Sequence, residues 1–203
     1  GPIEKLSFLL GFENFLLTLG TYPERIHELV RRHHAFMLGI VEQVASYQAV
    51  DAVFFVDDSA MQSGPYFSMD MWRTFFKQPL RELCDAIHAC GKKVIMHSCG
   101  NLKDHIAEFV DCGVDILDNK QPLLWLDAAR EHRGRIAFHT CLDYPVFERL
   151  PRGKLTARIH DLIRRLAVPE GGFVGTINNM IDPRVPREKI DAAWEAYREF
   201  EWK

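Results

Sequence analysis

The chain has 203 residues, 47% of them apolar and 26% charged, and a net charge of −3. That composition describes one large globular domain, or a piece of a larger one, with enough material for a sizeable core. It excludes broad nucleic-acid binding, since no basic stripe is present, and no apolar stretch approaches the ~20 residues of a membrane span.

Residues 3–20 read as a short apolar helical segment ending at Gly20. Thr21, Pro23 and Glu24 then form a capping-box signature for a helix running to about Gln48. Its apolar stripe is Ile26, Leu29, Val30, His33, Met37, Ile40, Val41 and Val44. His33 and His34 are adjacent and cannot both face the core, so they are read as surface or boundary residues. Residues 52–56 (Ala-Val-Phe-Phe-Val) are apolar on both faces and end in Asp57 and Asp58, as a buried parallel strand would. After a loop with Gly64 and Pro65, Ser68 is expected to cap a second long helix to about Cys90, kinked at Pro79 and ended by Gly91. A second strand covers 93–98. Asn101 is expected to cap a short helix that ends near Cys112 and Gly113. A third strand at 115–119 precedes Gln121-Pro122 and a helix to about His132. The fourth strand is 136–140, followed by a helix over about 154–167. The fifth is 172–177, and a final amphipathic helix runs from about Arg187 to Phe200.

Regular alternation of short apolar strands with helices predicts parallel β/α units. No strand is followed by a Gly-rich phosphate fingerprint, which argues against a doubly wound sheet. Polar chemistry at each strand's C-terminal end argues for a TIM (β/α)8 barrel. A complete barrel needs eight strands and about 250 residues. Only about five β/α units are legible, so residues 1–203 are expected to be a single domain lacking its first strands. Open strand edges would be sticky, and a non-catalytic fragment, a binding module or a homodimer is the expectation from that side.

Five cysteines, at 84, 90, 99, 112 and 141, are odd in number and irregular in spacing. They argue for free thiols and a reducing, cytoplasmic compartment. Cys84, Cys90 and Cys112 fall on helices and read as small hydrophobes. His27, His88, His105, His132 and His160 also fall on helices and read as solvated.

His97 and Cys99 lie two apart at a strand end, so they project to one face. An imidazole and a thiolate together make half of a soft metal site, and Gly100 with a following helix suits a ligand position. His139-Thr140-Cys141 repeats the spacing one strand later. A lone His-x-Cys is a weak motif, so core or loop packing is the first reading there. Asp57 and Asp58 end the first strand, where barrel enzymes carry catalytic groups. The bland alternative is a cap or a salt bridge.

These stretches together resemble the uroporphyrinogen decarboxylase superfamily, which also holds zinc-dependent corrinoid:thiol methyltransferases. The resemblance runs through 51–58, Ser68 to Pro79, 97–101, 113–118 with Gln121-Pro122, Phe138 to Asp143, 171–174 and 181–186. It implies a TIM barrel of which this chain is the C-terminal two-thirds. It implies zinc on His97 and Cys99, as in the methyltransferase branch, and methyl transfer between a corrinoid, carried by a partner protein, and a small substrate. Asp57 or Asp58 would position substrate or act as a base, and Asn101, Gln121, Asn178 and Asn179 would contact it. That branch takes a third zinc ligand from a cysteine at the position matching Asn179. Here either the metal is lost, or Cys141 or an acidic residue replaces that ligand, or the third ligand is water. The alternative within the family is cofactor-free decarboxylation of uroporphyrinogen, with fixed carboxylates such as Asp57 stabilising a protonated pyrrole.

Overall fold

In the computed structural model, which describes residues 1–177 and 181–202, the apolar runs assemble into one parallel sheet with helices packed on it. The N-terminal segment is two helices rather than one: α1 (Pro2–Leu10) and α2 (Phe12–Thr21). Gly11 separates them at φ 80°, a conformation open to glycine because it has no Cβ. α3 (Pro23–Ala45) follows directly. The expected capping box does not form. Thr21 is the last residue of α2, and its hydroxyl donates to the Leu17 carbonyl at 2.7 Å, so Tyr22 takes the cap position. Of the predicted stripe, Ile26, Val30 and Val41 are buried, while Ile40 lies at the exposed margin.

Strand β1 (Ala52–Val56) leads to a small hairpin, β2 (Ala60–Met61) with β3 (Gly64–Pro65). Ser68 caps α4 (Met69–Trp72) as expected, its hydroxyl accepting from the Met71 amide at 3.2 Å. The predicted kink at Pro79 is replaced by a π-helical turn, Arg73–Lys77, before α5 (Gln78–Ala89). A proline has no N–H and its ring crowds the carbonyl four residues back; a widened turn accommodates both. The π turn is also tied from outside. Glu108, buried on α6 (Ile106–Cys112), accepts from Arg73 at 2.6 Å and pairs with Lys77.

The remaining strands and α-helices are β4 (Lys93–His97), β5 (Ile116–Asp118), α7 (Leu126–Ala129), β6 (Ala137–Thr140), α8 (Tyr144–Arg149), α9 (Arg152–Leu166), β7 (Phe173–Gly175) and α10 (Arg187–Arg198). Asn101 caps no helix: α6 starts at Ile106, and the Asn101 side chain accepts from the Lys103 amide in a turn. His105, read as solvated, is fully buried, stacked on Phe109 and edge-on to Trp72.

The five strands pair in the order β1-β4-β5-β6-β7, all parallel. Skipping the hairpin, that is chain order. A doubly wound sheet would reverse direction partway and put helices on both faces; sequential order is what a barrel segment shows. One face carries Phe55, Met96, Leu117, Phe138 and Phe173 in register, the first four buried under helices. The opposite face carries Phe54, Ile95, Ile116 and Ala137 in one row, and Val56, His97, Asp118, His139 and Val174 in the next. That second row lies at the C-terminal ends of the strands.

Candidate functional site

His97 stands in the polar row beside Asp118. Its Nδ1 is 2.7 Å from Asp118 Oδ2, and its Nε2 is 3.2 Å from Cys99 Sγ. Asp58 Oδ1 lies 4.0 Å from the same Nε2 and accepts from the Cys99 amide at 2.7 Å. Asp58, His97 and Cys99 each bring one ligand atom within 4.8 Å of the others, and among the described residues they form a group that could hold a metal ion.

The donor set suits zinc. It offers one sulfur, one nitrogen and one carboxylate oxygen, three protein ligands with a fourth position open. The outer contact fits too. A metal-bound histidine nearly always gives its other ring nitrogen to a carboxylate or carbonyl, which fixes the tautomer and ring angle, and Asp118 occupies that place on His97.

Asp118 serves more than His97. His139 Nδ1 is 3.1 Å from Asp118 Oδ1, and Lys120 Nζ pairs with the same oxygen. Burial pushes the Asp118 carboxyl up, but the hydrogen bonds from His139, His97 and Lys120 outweigh it and hold the group well below the usual carboxylate range. In turn, the Asp118 and Cys99 hydrogen bonds raise His97 to about 10. The two histidines come together because the parallel register sets positions 97, 118 and 139 side by side. His139 therefore belongs to the site row, where sequence reasoning had put it in packing.

The other expected residues fall as follows. Asp57 points the opposite way from Asp58, as alternation requires. It is buried behind the sheet, accepts from the Glu4 amide at 3.0 Å, and lines an apolar cavity with His33, Trp72, Phe76 and Met96. Burial raises its carboxyl to about 6. Cys141 is not among the grouped ligands. Its thiol is buried beside Ile159, Thr176 and Tyr197, and burial pushes it up to about 12. Gln121 reaches the site through the backbone, its side-chain oxygen accepting from the Gly100 amide at 2.9 Å. Asn101 donates its amide to the Met61 carbonyl at 2.9 Å. Asn178 and Asn179 lie outside the described residues.

Sequence reasoning did not assign Asp118, His139 or Lys120 to the site. The signal was present: each is a polar residue at or just past the end of an apolar strand, and sequential parallel pairing would align two of them with His97.

The family model for uroporphyrinogen decarboxylase (URO-D) matches residues 1–200. No curated protein matches the chain. Among solved structures, a methyltransferase from Methanosarcina mazei shares the fold with a TM-score of 0.71 at 18% identity. The likeness covers 98% of this chain and 56% of that one, so the chain spans little more than half the length of its structural neighbour.

Proposed function

The chain belongs to the uroporphyrinogen decarboxylase (URO-D) family, and on that premise we propose that it holds zinc on Asp58, His97 and Cys99 and serves methyl transfer between a corrinoid and a small thiol or methoxylated substrate. The observation that carries this reading is the environment of one imidazole: a thiol on Nε2 and a carboxylate on Nδ1. Zinc bound there would act as a Lewis acid at its open position, stabilising a small ligand such as a thiol in its anionic form. Cys99 and His97 hold the ion from one strand end. Asp58, brought in from the neighbouring strand, supplies the oxygen donor in place of a third soft ligand. Asp118 fixes the His97 ring. Lys120 and His139 share the charge of Asp118, so a carboxylate next to the metal does not stand uncompensated. The methyltransferase neighbour supports the fold on which this reading rests, and the corrinoid would arrive on a partner protein. Five unpaired cysteines fit a reducing, cytoplasmic setting, and no helix among the described residues is long and apolar enough to cross a membrane.

Metal analysis of the purified chain tests the proposal. Near-stoichiometric zinc is expected in the wild type, and its loss in Cys99→Ser. Asp58→Asn should weaken binding while Cys141→Ser leaves it intact, which separates the two candidates for third ligand. Asp118→Asn should weaken it by roughly 10- to 100-fold, the usual effect of removing a carboxylate from a ligating histidine. A wild-type chain that takes up no zinc would overturn the reading.

The family's own name favours a second reading, cofactor-free decarboxylation of a porphyrinogen. On that reading the fixed carboxylate would be Asp58 or Asp118 on the open face, rather than Asp57. Carboxylate loss from uroporphyrinogen that persists in a chelator would favour it.

A further inference from the structure

The segment 98–101 carries Cys99, and its backbone is hydrogen-bonded almost entirely by other parts of the chain. The Ser98 amide donates to the Asp118 carbonyl at 3.1 Å, and the Asn101 amide to Met61 at 2.9 Å. The Cys99 amide donates to Asp58. The remaining contacts come from two side chains. Asn119 Nδ2 donates to the Ser98 carbonyl at 2.7 Å and to the Gly100 carbonyl at 3.2 Å. Gln121 Oε1 accepts from the Gly100 amide at 2.9 Å. The two are joined, since the Gln121 amide donates to Asn119 Oδ1 at 2.6 Å. Asn119 is fully buried, and its own amide donates to the His139 carbonyl at 3.2 Å. Its amide orientation follows from its partners: two carbonyls require the nitrogen, and one N–H requires the oxygen.

We propose that Asn119 and Gln121 are positioning residues for the metal site, clamping the Ser98–Gly100 backbone so that Cys99 Sγ meets the ion held by His97. This rests on the zinc reading above. The physical reason is the sharpness of metal geometry. Zinc–sulfur and zinc–nitrogen bonds have narrow length ranges, and a ligand on a turn drifts unless the shell behind it fixes its backbone. His97 is held by β4 and by Asp118. Cys99 lies past the end of the strand, where ladder pairing no longer constrains it. Asn119 and Gln121 replace that pairing: they come from the segment after β5, the strand that also supplies Asp118. One piece of chain therefore sets both ligands, His97 through a carboxylate and Cys99 through two amides.

A role confined to turn stability would alter unfolding and leave the metal's surroundings alone, so the test reads both. Cobalt(II) is titrated into the metal-free full chain and followed by the thiolate-to-cobalt charge-transfer absorption, with urea denaturation of each metal-free variant alongside. Gln121→Leu removes the acceptor for Gly100. Its cobalt affinity should fall by roughly 10- to 100-fold, with a shifted or weakened band. Gln121→Glu keeps an acceptor oxygen at that place and should restore wild-type affinity and spectrum. Asn119→Asp turns an oxygen toward two carbonyls and should weaken binding at least as much as Gln121→Leu. If Asn119→Asp does not fold, the two Gln121 variants decide. Wild-type affinity and spectrum in Gln121→Leu would overturn the clamp while leaving the zinc site standing. A wild-type chain with no charge-transfer band would overturn the zinc reading, and the clamp with it.

Discussion

His105 is the residue whose surroundings most contradict its type. It is fully buried against Trp72 and Phe109, and neither ring nitrogen has a hydrogen-bond partner among the described residues. A buried polar atom left unpaired costs roughly 1–3 kcal/mol. Burial also drives the His105 pKa down to about 4, only partly countered by Asp104 and Glu108. The linkage has a definite sign. The folded state keeps the ring neutral, while the unfolded chain protonates it below about 6.5. Stability therefore falls as pH drops from about 6.5 to about 4, by up to about 3 kcal/mol from this group, and levels off below. His33, lowered to about 4 chiefly by burial, adds a loss of the same sign. His105→Phe keeps an aromatic ring for Phe109 and removes both orphaned nitrogens. Urea denaturation between pH 4 and 8 should show the variant more stable than wild type at pH 7 by about 1 kcal/mol, with a shallower decline toward acid. An unchanged acid slope would mean His105 is paired or protonated in the folded protein.

At the scale of elements, the turn after β4 shows what the sequence made legible and what it hid. His97 and Cys99 could be placed on one face from strand period alone, and Ser68 as a cap from residue type alone, because both are local effects. The break at Gly11 and the π turn before Pro79 were not legible, since each depends on whether the chain can shift its hydrogen-bonding partners at that point. Asp118 was hidden for another reason. Its contact with His97 follows from the pairing of β4 with β5, and register between strands is a property of the sheet. Gly100 combines both kinds of information. Its φ is +85°, and a Cβ there would lie 2.3 Å from the Ala60 carbonyl oxygen, so the β2–β3 hairpin packs directly on the backbone of the turn. Gly100→Ala pays about 1–2 kcal/mol for the left-handed conformation and must also push the hairpin away, typically another 1–3 kcal/mol. Denaturant midpoints should register at least about 2 kcal/mol of lost stability. A variant as stable as wild type would show that the hairpin can move off the turn at little cost.

For the whole molecule, the decisive feature is the uncovered face of the sheet. Parallel sheets normally have both faces covered, because their strands are apolar on both sides. Here the helix-facing side is closed, while the site-bearing side leaves Phe54 54% and Val174 44% exposed. β1 and β7 are the sheet's two outer strands, each paired along one edge only among the described residues. The 203-residue chain on its own therefore presents an apolar surface and two open edges to water. Both favour self-association. Sedimentation equilibrium on this chain should therefore give a mass that rises with concentration above that of a monomer. Half-burying a phenylalanine is worth about 1 kcal/mol, or roughly fivefold in an association constant. Phe54→Asp removes that gain and adds a charge to desolvate, so the association constant should fall by at least fivefold, and Val174→Asp should act in the same direction from the other end of the sheet. A mass fixed at one chain over the whole concentration range would show that the open face does not drive association.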